Sequence, residues 1–403
     1  MSVVRGSRTP AAIAGLVVCL AVSGCGVGPA EASAARGTVF VAGPGDGTPG
    51  PPVAPKPTPT TTPTPPAALG PPESTLNIVT FPGYAERGGN DPRVDWVTEF
   101  ERETECKVGI REVESVEEMG ARFDPEAYDY DVALVPPELA DELIAARRVE
   151  PLNFALIDGY DATIPRLRNL PGIKGYGVPF VWSVNRIAYH TSAVKSAPED
   201  ARGLFTADGG VVMRDHPLTI ADAALYLRDR RPDLRISDPF QLTPAQLEAA
   251  VDTLARQREA VRLYWRRAVE VVEAFVGGEV RVGQMAPYHA QLLARAGQPV
   301  KTARKPPATG WVDSWMVAAH TSRRTCAYKW LSWTASPEVQ RRAAAWTGTA
   351  PANRDACEGL GGELCPDIRS VEFARRPTAD CGGTGQGCTT YATWATRWLE
   401  IAK

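Results

Sequence analysis

The sequence predicts an α/β fold, on three observations. From residue 76 onward, short β-branched runs alternate with amphipathic helical stretches, the pattern of parallel strands joined by right-handed helical crossovers. Of the 403 residues, 44% are hydrophobic, so once the N-terminal segments are set aside the chain can build two domains with proper cores. The formal net charge is only −3. Lysine and arginine are scattered rather than clustered, which leaves no electrostatic footprint for nucleic acid.

The N-terminal segments come first. Arg5 and Arg8 precede an apolar run over residues 11–22 that is too short to span a bilayer, as in an export signal. It ends in Val22-Ser23-Gly24-Cys25, which resembles a bacterial lipobox. Residues 1–24 would then be a cleaved signal peptide, and the Cys25 thiol would carry diacylglycerol beside an acylated amino terminus. Two or more chains anchor stably where one is marginal, so the protein is expected outside the cytoplasm, anchored to the cell membrane as a lipoprotein. An ordinary secretory signal with an incidental cysteine is the alternative. Residues 25–75 are rich in Pro, Thr, Gly and Ala and poor in charge, a composition that stays extended and reads as a stalk. Its Thr-Pro density also permits O-glycosylation.

Export into an oxidising space changes how cysteines are read. Cys19 is lost with the signal and Cys25 to lipid, leaving Cys106, Cys326, Cys357, Cys365, Cys381 and Cys388. Six cysteines permit three disulfides in fifteen connectivities. The expected set is Cys106 to Cys326, Cys357 to Cys365 and Cys381 to Cys388, because the last four crowd a Gly-rich tail that needs stapling. A metal site is the weaker reading. There are no paired Cys-x-x-Cys units, and His190, His216, His289 and His320 lie far from the cysteines in sequence.

The folded elements follow in order. Residues 76–81 read as a strand, and Asp91-Pro92 as an N-cap and N1 proline opening a helix through Trp96, Phe100 and Thr104. Residues 107–113 form a second strand, Ser115 to Glu118 a capping box, and residues 130–135 a buried third strand. Pro137 opens a helix with Leu139, Leu143 and Ala146 on one face, ending in Arg147-Arg148 at its negative pole. Residues 176–189 are extended. Helices are expected over 219–230, from the capping box at Thr243 to Arg256, over 267–276 until Gly277-Gly278, and over 287–295. A strand over 280–285 separates the last two. Helices over 322–334 and 337–346 precede the cysteine tail, and Trp330 and Trp333 on the first of these read as core.

One stretch carries candidate chemistry: Gly310-Trp311-Val312-Asp313-Ser314-Trp315-Met316-Val317. If it is extended, Trp311, Asp313 and Trp315 share one face. A carboxylate between indoles suits a cation with an apolar body, since it supplies a counter-charge and π-faces worth roughly 0.5–2 kcal/mol each. The plain alternative is a half-exposed strand with core indoles and an aspartate paired to a local arginine.

In this order the chain resembles the substrate-binding proteins of ABC importers, nearest the spermidine/putrescine-binding family. The resemblance is carried by residues 76–84 with 100–108, by Tyr130 to Pro136, by Tyr176-Gly-Val-Pro-Phe-Val-Trp182, and by residues 278–283 with 294–297 followed by Trp311 to Ser314. It implies a two-lobe periplasmic-binding-protein-like fold with a hinge and an inter-lobe cleft. Lobe I would be residues 76–178 and 312–350, and lobe II residues 179–311 and 351–403. It also implies a monomer without cofactor or metal that hands a small-molecule ligand to an ABC permease. Family members sandwich a polyamine stem between aromatic rings and hold its ammonium ends on carboxylates. Carried over, Trp311 and Asp313 match the aromatic and the ammonium-binding acid, Tyr84 a binding tyrosine, Phe81 a loop tryptophan, and Trp182 the crossover segment.

Several positions depart from that pattern. Where an acidic pair is expected near residues 214–219, only Asp215 is acidic. A binding tryptophan aligns with Ala286, leaving Tyr288 and His289 as substitutes, and a late tyrosine aligns with Thr349. The loop after the third strand has become Pro137-Glu138-Leu139. One buried carboxylate suits one ammonium or guanidinium better than a long diamine, so the expected ligand is polyamine-like or another organic cation, with a neutral or sugar-like ligand as the alternative. An enzyme is disfavoured: there is no Gly-x-Ser-x-Gly, phosphate-cradling loop or His-Glu-x-x-His, and Glu138 and Asp313 read as ligand or surface charges. A surface sensor or interaction lipoprotein without a tight transport ligand is the remaining alternative.

Overall fold

The computed structural model describes residues 64–402 apart from 90, 124–129, 286, 304–307, 361–363 and 382–386. The signal peptide, Cys25 and the stalk up to residue 63 lie outside the described residues. The elements, in order, are β1 (Thr75–Thr80), α1 (Val97–Thr104), β2 (Lys107–Glu112), α2 (Val116–Arg122), β3 (Val132–Val135), α3 (Pro137–Ala145), α4 (Pro165–Arg168), β4 (Gly177–Val184) and β5 (Arg186–His190). Then come α5 (Gly203–Thr206), β6 (Val211–Arg214), α6 (Ile220–Arg230), α7 (Pro244–Gln257), β7 (Val261–Trp265), α8 (Ala268–Val276), β8 (Val282–Met285), α9 (Pro287–Arg295) and β9 (Val300–Ala303). The chain closes with β10 (Ala308–Val317), α10 (Arg324–Ala335), α11 (Pro337–Thr347), β11 (Ala350–Pro351), β12 (Val371–Phe373) and α12 (Tyr391–Ile401).

These strands make two mixed sheets, ordered β11-β4-β10-β3-β1-β2 and β7-β6-β8-β5-β9. Each is covered by helices on both faces, giving the α/β two-lobe, periplasmic-binding-protein-like architecture. In the first lobe Trp315, Phe180, Phe100 and Trp330 lie on one face of the sheet, and Val312, Met316 and Trp182 on the other. The indoles of Trp315 and Trp330 meet edge-on at 5.4 Å. Trp315 is therefore core, and the face it shares with Trp311 and Asp313 is apolar at that end.

Local signals explain several helix starts. Thr243 and Gln246 form a complete capping box at α7, while at α2 Ser115 Oγ accepts from the Glu118 amide and Glu118 reaches back to Glu114 rather than to Ser115. The expected start of α1 is corrected. Asp91 instead binds Arg93 in a turn, and the helix begins at Val97, where Asp95 accepts from the Thr98 amide.

The lobe boundaries also move. β4 remains in the first sheet through Val184, and β10 belongs to it from Ala308, while Ala303 still pairs in the second sheet, so the first two crossings fall at Asn185 and between Ala303 and Ala308 rather than at 178/179 and 311/312. The tail divides between the lobes. β12 pairs with the start of β10, along the same edge that β3 occupies further on, whereas α12 buries Trp394, Trp398 and Ile401 against the second lobe. The disulfides are Cys106–Cys326, Cys357–Cys365 and Cys381–Cys388, the expected pairing. The turn carrying Cys357 packs on α11 of the first lobe, where Arg341 donates to the Asp355 and Ala356 carbonyls, not on the second lobe as expected.

Candidate functional site

The cleft is built at one end of the first sheet. β10 presents Trp311 and Asp313 on the same face, and its neighbour β3 ends beside them, with Ser314 opposite Val135. Pro136 and Pro137 then turn the chain into α3 and place Glu138 in its first turn. A third wall comes from the loop after β1. Gly83 takes a left-handed φ of +92°, which a residue with a Cβ adopts rarely, and this swings Tyr84 toward β10. The loop is pinned where the Glu86 carbonyl accepts from the amides of Trp96 and Val97 and where Trp346 Nε1 donates to Glu86 Oε1 at 3.0 Å.

Asp313 is 4% exposed. It accepts from Trp311 Nε1 at 3.2 Å and from the Tyr84 hydroxyl. Burial pushes its carboxyl up to about 7, and the nearby Glu138 adds to the rise, against the Trp311 bond, the Arg214 charge and the Tyr84 bond. Burial and the Asp313 carboxylate push the Tyr84 phenol well above its usual value. Among the described residues no lysine or arginine forms an ion pair with Asp313.

Glu138, 6% exposed, is partnered from the second lobe. Arg214, the last residue of β6, donates Nη2 to Glu138 Oε1 at 2.9 Å. Burial works to raise the Glu138 carboxyl, but Arg214 and His216 hold it below the usual range. His216 is itself lowered to about 4 by burial and by Arg214, so it is charged only in the acid range where Glu138 titrates, and near pH 7 it is neutral with its Nδ1 accepting from the Leu218 amide. His289 is likewise lowered to about 4 by burial.

The structure gathers Trp311, Asp313, Tyr84 and Glu138, with Tyr288 of α9 close enough to act electrostatically on Tyr84. It places three other sequence candidates elsewhere. Asp215 accepts from Trp398 Nε1 and Arg266 Nε, both at 2.6 Å, and so is committed to the C-terminal helix and a surface arginine. Trp182 is core: its Nε1 donates to the Pro351 carbonyl at 3.0 Å and its ring meets Phe373 edge-on. Phe81 packs, half-buried, against the cluster under α3. Arg214 was missed, although the stretch that contains it was singled out for its acids.

The lobes are closed on each other. Besides Arg214–Glu138, Arg228 pairs with Glu372 at 2.6 Å and Arg376 with Glu142 at 2.8 Å, and Arg295 lies over the Trp346 ring at 5.3 Å. Gly348 sits where glycine is favoured. It caps α11 at φ +72°, a conformation that strains residues with a Cβ, and a Cβ there would also lie 2.4 Å from the Gln291 amide of α9, which would have to move. A concavity of about 370 Å³ at the lobe boundary is lined by Glu117, Glu138, Glu142, His216 and Tyr391, so Glu138 borders it while Asp313 is enclosed.

Solved structures share this architecture. The spermidine/putrescine ABC transporter substrate-binding protein PotD from Streptococcus pneumoniae aligns over 82% of this chain and all of its own, at 19% identity and a TM-score of 0.65. The TpPotD lipoprotein of Treponema pallidum aligns over 81% of this chain and 99% of its own, at 13% identity and 0.66. The binding protein MotA from A. tumefaciens B6, in complex with glucopine, aligns over 82% and 100% at 14% identity and 0.62. At these identities the likeness is one of fold. Residues 95–361, which contain strands β2 to β11 and every cleft residue except Tyr84, match the family described as bacterial extracellular solute-binding protein, and the chain belongs to that family.

Proposed function

We propose that this protein is the lipid-anchored receptor of an ABC importer and captures a small organic cation in the inter-lobe cleft, with the cationic head on Asp313 and its apolar body against Trp311 and Tyr84. The observation that carries this reading is a carboxyl buried between two aromatic donors with no protein cation paired to it among the described residues. Burying such a group is costly until a counter-charge arrives, and a ligand ammonium or guanidinium would supply it. Aromatic faces add dispersion and cation–π attraction for the carbon stem. The structural likeness to a spermidine/putrescine substrate-binding protein agrees with a cationic ligand. Attachment through Cys25 rests on the Val22-Ser23-Gly24-Cys25 sequence.

Isothermal titration of the mature protein with primary amines, polyamines and guanidines tests this. Saturable binding is expected, and Asp313→Asn should weaken it by roughly 2–5 kcal/mol, the usual loss when one partner of a buried charge pair is removed. Equal affinity in the variant would remove Asp313 from the site. No saturable binding of any cation would favour a sensor or interaction lipoprotein with this fold.

A further inference from the structure

We propose that Arg214 is a built-in counter-ion that fills the second cation position of the cleft, so that the site selects monocations and rejects diamines. The inference rests on the cation-capture reading above and names its substrate class. Two carboxylates lie at the same end of the first sheet on neighbouring chain segments: Asp313 on β10, and Glu138 three residues beyond Val135, which is opposite Ser314. Both are buried. They differ in what faces them. Among the described residues Asp313 accepts from neutral donors, Trp311 and Tyr84, and feels the Arg214 charge without pairing with it, whereas Glu138 pairs directly with that guanidinium, delivered across the cleft.

Arg214 is held for this task. Its amide donates to Gln284 Oε1 at 3.4 Å, its carbonyl accepts from Thr219 Oγ1 at 3.0 Å, and its side chain is 36% exposed, so the guanidinium stands at the cleft wall rather than in bulk water. With both acids ionised, Arg214 leaves one negative charge unmatched. A monocation closes that account. A diamine spanning from Asp313 toward Glu138 brings its second ammonium against Arg214, and it can reach Glu138 only by expelling the guanidinium, which also links the two lobes.

Paired titrations with n-butylamine and putrescine, which share a four-carbon stem, test this directly. Wild-type protein should bind n-butylamine at least about tenfold more tightly than putrescine, a ratio that requires no variant to fold. Arg214→Gln should move the ratio at least about tenfold toward putrescine, and Glu138→Gln combined with Arg214→Gln should cancel that movement. Equal wild-type affinities, or a ratio unmoved by Arg214→Gln, would overturn the assignment of Arg214 while leaving cation capture at Asp313 standing. Failure of both amines to bind wild-type protein would instead overturn cation capture, and this inference with it.

Discussion

A carboxyl that ionises only near pH 7 makes capture of a cation a proton-linked event. Asp313 is raised to about 7 chiefly by burial, and a ligand cation binds its ionised form, so below that pH binding must expel a proton. The expected result is an association constant that falls by up to about tenfold per pH unit below 7 and levels off above it. Glu138 does not distort this window, because Arg214 and His216 hold its carboxyl below the usual range. Titrations from pH 5.5 to 8 in buffers of different ionisation enthalpy would read both the slope and the proton release. A slope that persists in Asp313→Asn would place the titrating group elsewhere. Trp311 and Asp313 were legible in the sequence because strand alternation puts residues two apart on one face. Arg214 was not, because its partner Glu138 lies 76 positions away and belongs to the other lobe.

At the scale of elements, what could be read from sequence depended on whether the signal was local. Helix α7 carries a complete capping box and α9 runs over the expected residues 287–295, since both are set by neighbours in the chain. β12 was not visible. Three residues in a cysteine-rich tail have no period to detect, and they become a strand only because the edge of β10 ahead of β3 lies open to them. Trp182 was misplaced for a similar reason, because its burial depends on Pro351 and Phe373, supplied by distant segments. The disulfides fall between these cases, since sequence counted them and the fold decides what each constrains. Cys106–Cys326 ties the end of α1 to α10 across a separation of 220 residues, and Cys357–Cys365 links residues only 8 apart. By loop-closure entropy, replacing the first pair with alanines should cost about 5 kcal/mol and the second about 2.5 kcal/mol. Urea unfolding of the two double variants would check the ranking, and equal losses would show that unfolded-state entropy does not govern these links.

Across the whole molecule the lobes are joined at a buried polar knot as well as by the chain itself. Asn185, between β4 and β5, donates Nδ2 to Thr309 Oγ1 at 2.7 Å at the start of β10. Thr309 in turn donates to Asp222 of α6, which also accepts from Gln284 Nε2 at 2.7 Å. Two of the three crossings therefore converge on one carboxyl. Burial pushes Asp222 up to about 6, against the hydrogen bonds from Thr309 and Gln284. A carboxyl raised in the native state holds its proton more tightly there than in the unfolded chain. Its ionisation consequently removes stability as pH rises from the unfolded value near 4 to the native value near 6, and the loss is complete above that. Asp222→Asn abolishes the titration and leaves a pH-independent offset from altered hydrogen bonding. The stability of Asp222→Asn relative to wild type should therefore climb by about 2 kcal/mol between pH 4 and 6 and level off by pH 7. Unfolding of both proteins in urea at pH 4, 5, 6 and 7 reads that difference, and the Asp313 contribution, being common to both, cancels. A difference that does not change with pH would mean that the Asp222 carboxyl titrates alike in the folded and unfolded chain, and the hinge would then contain no pH-dependent element.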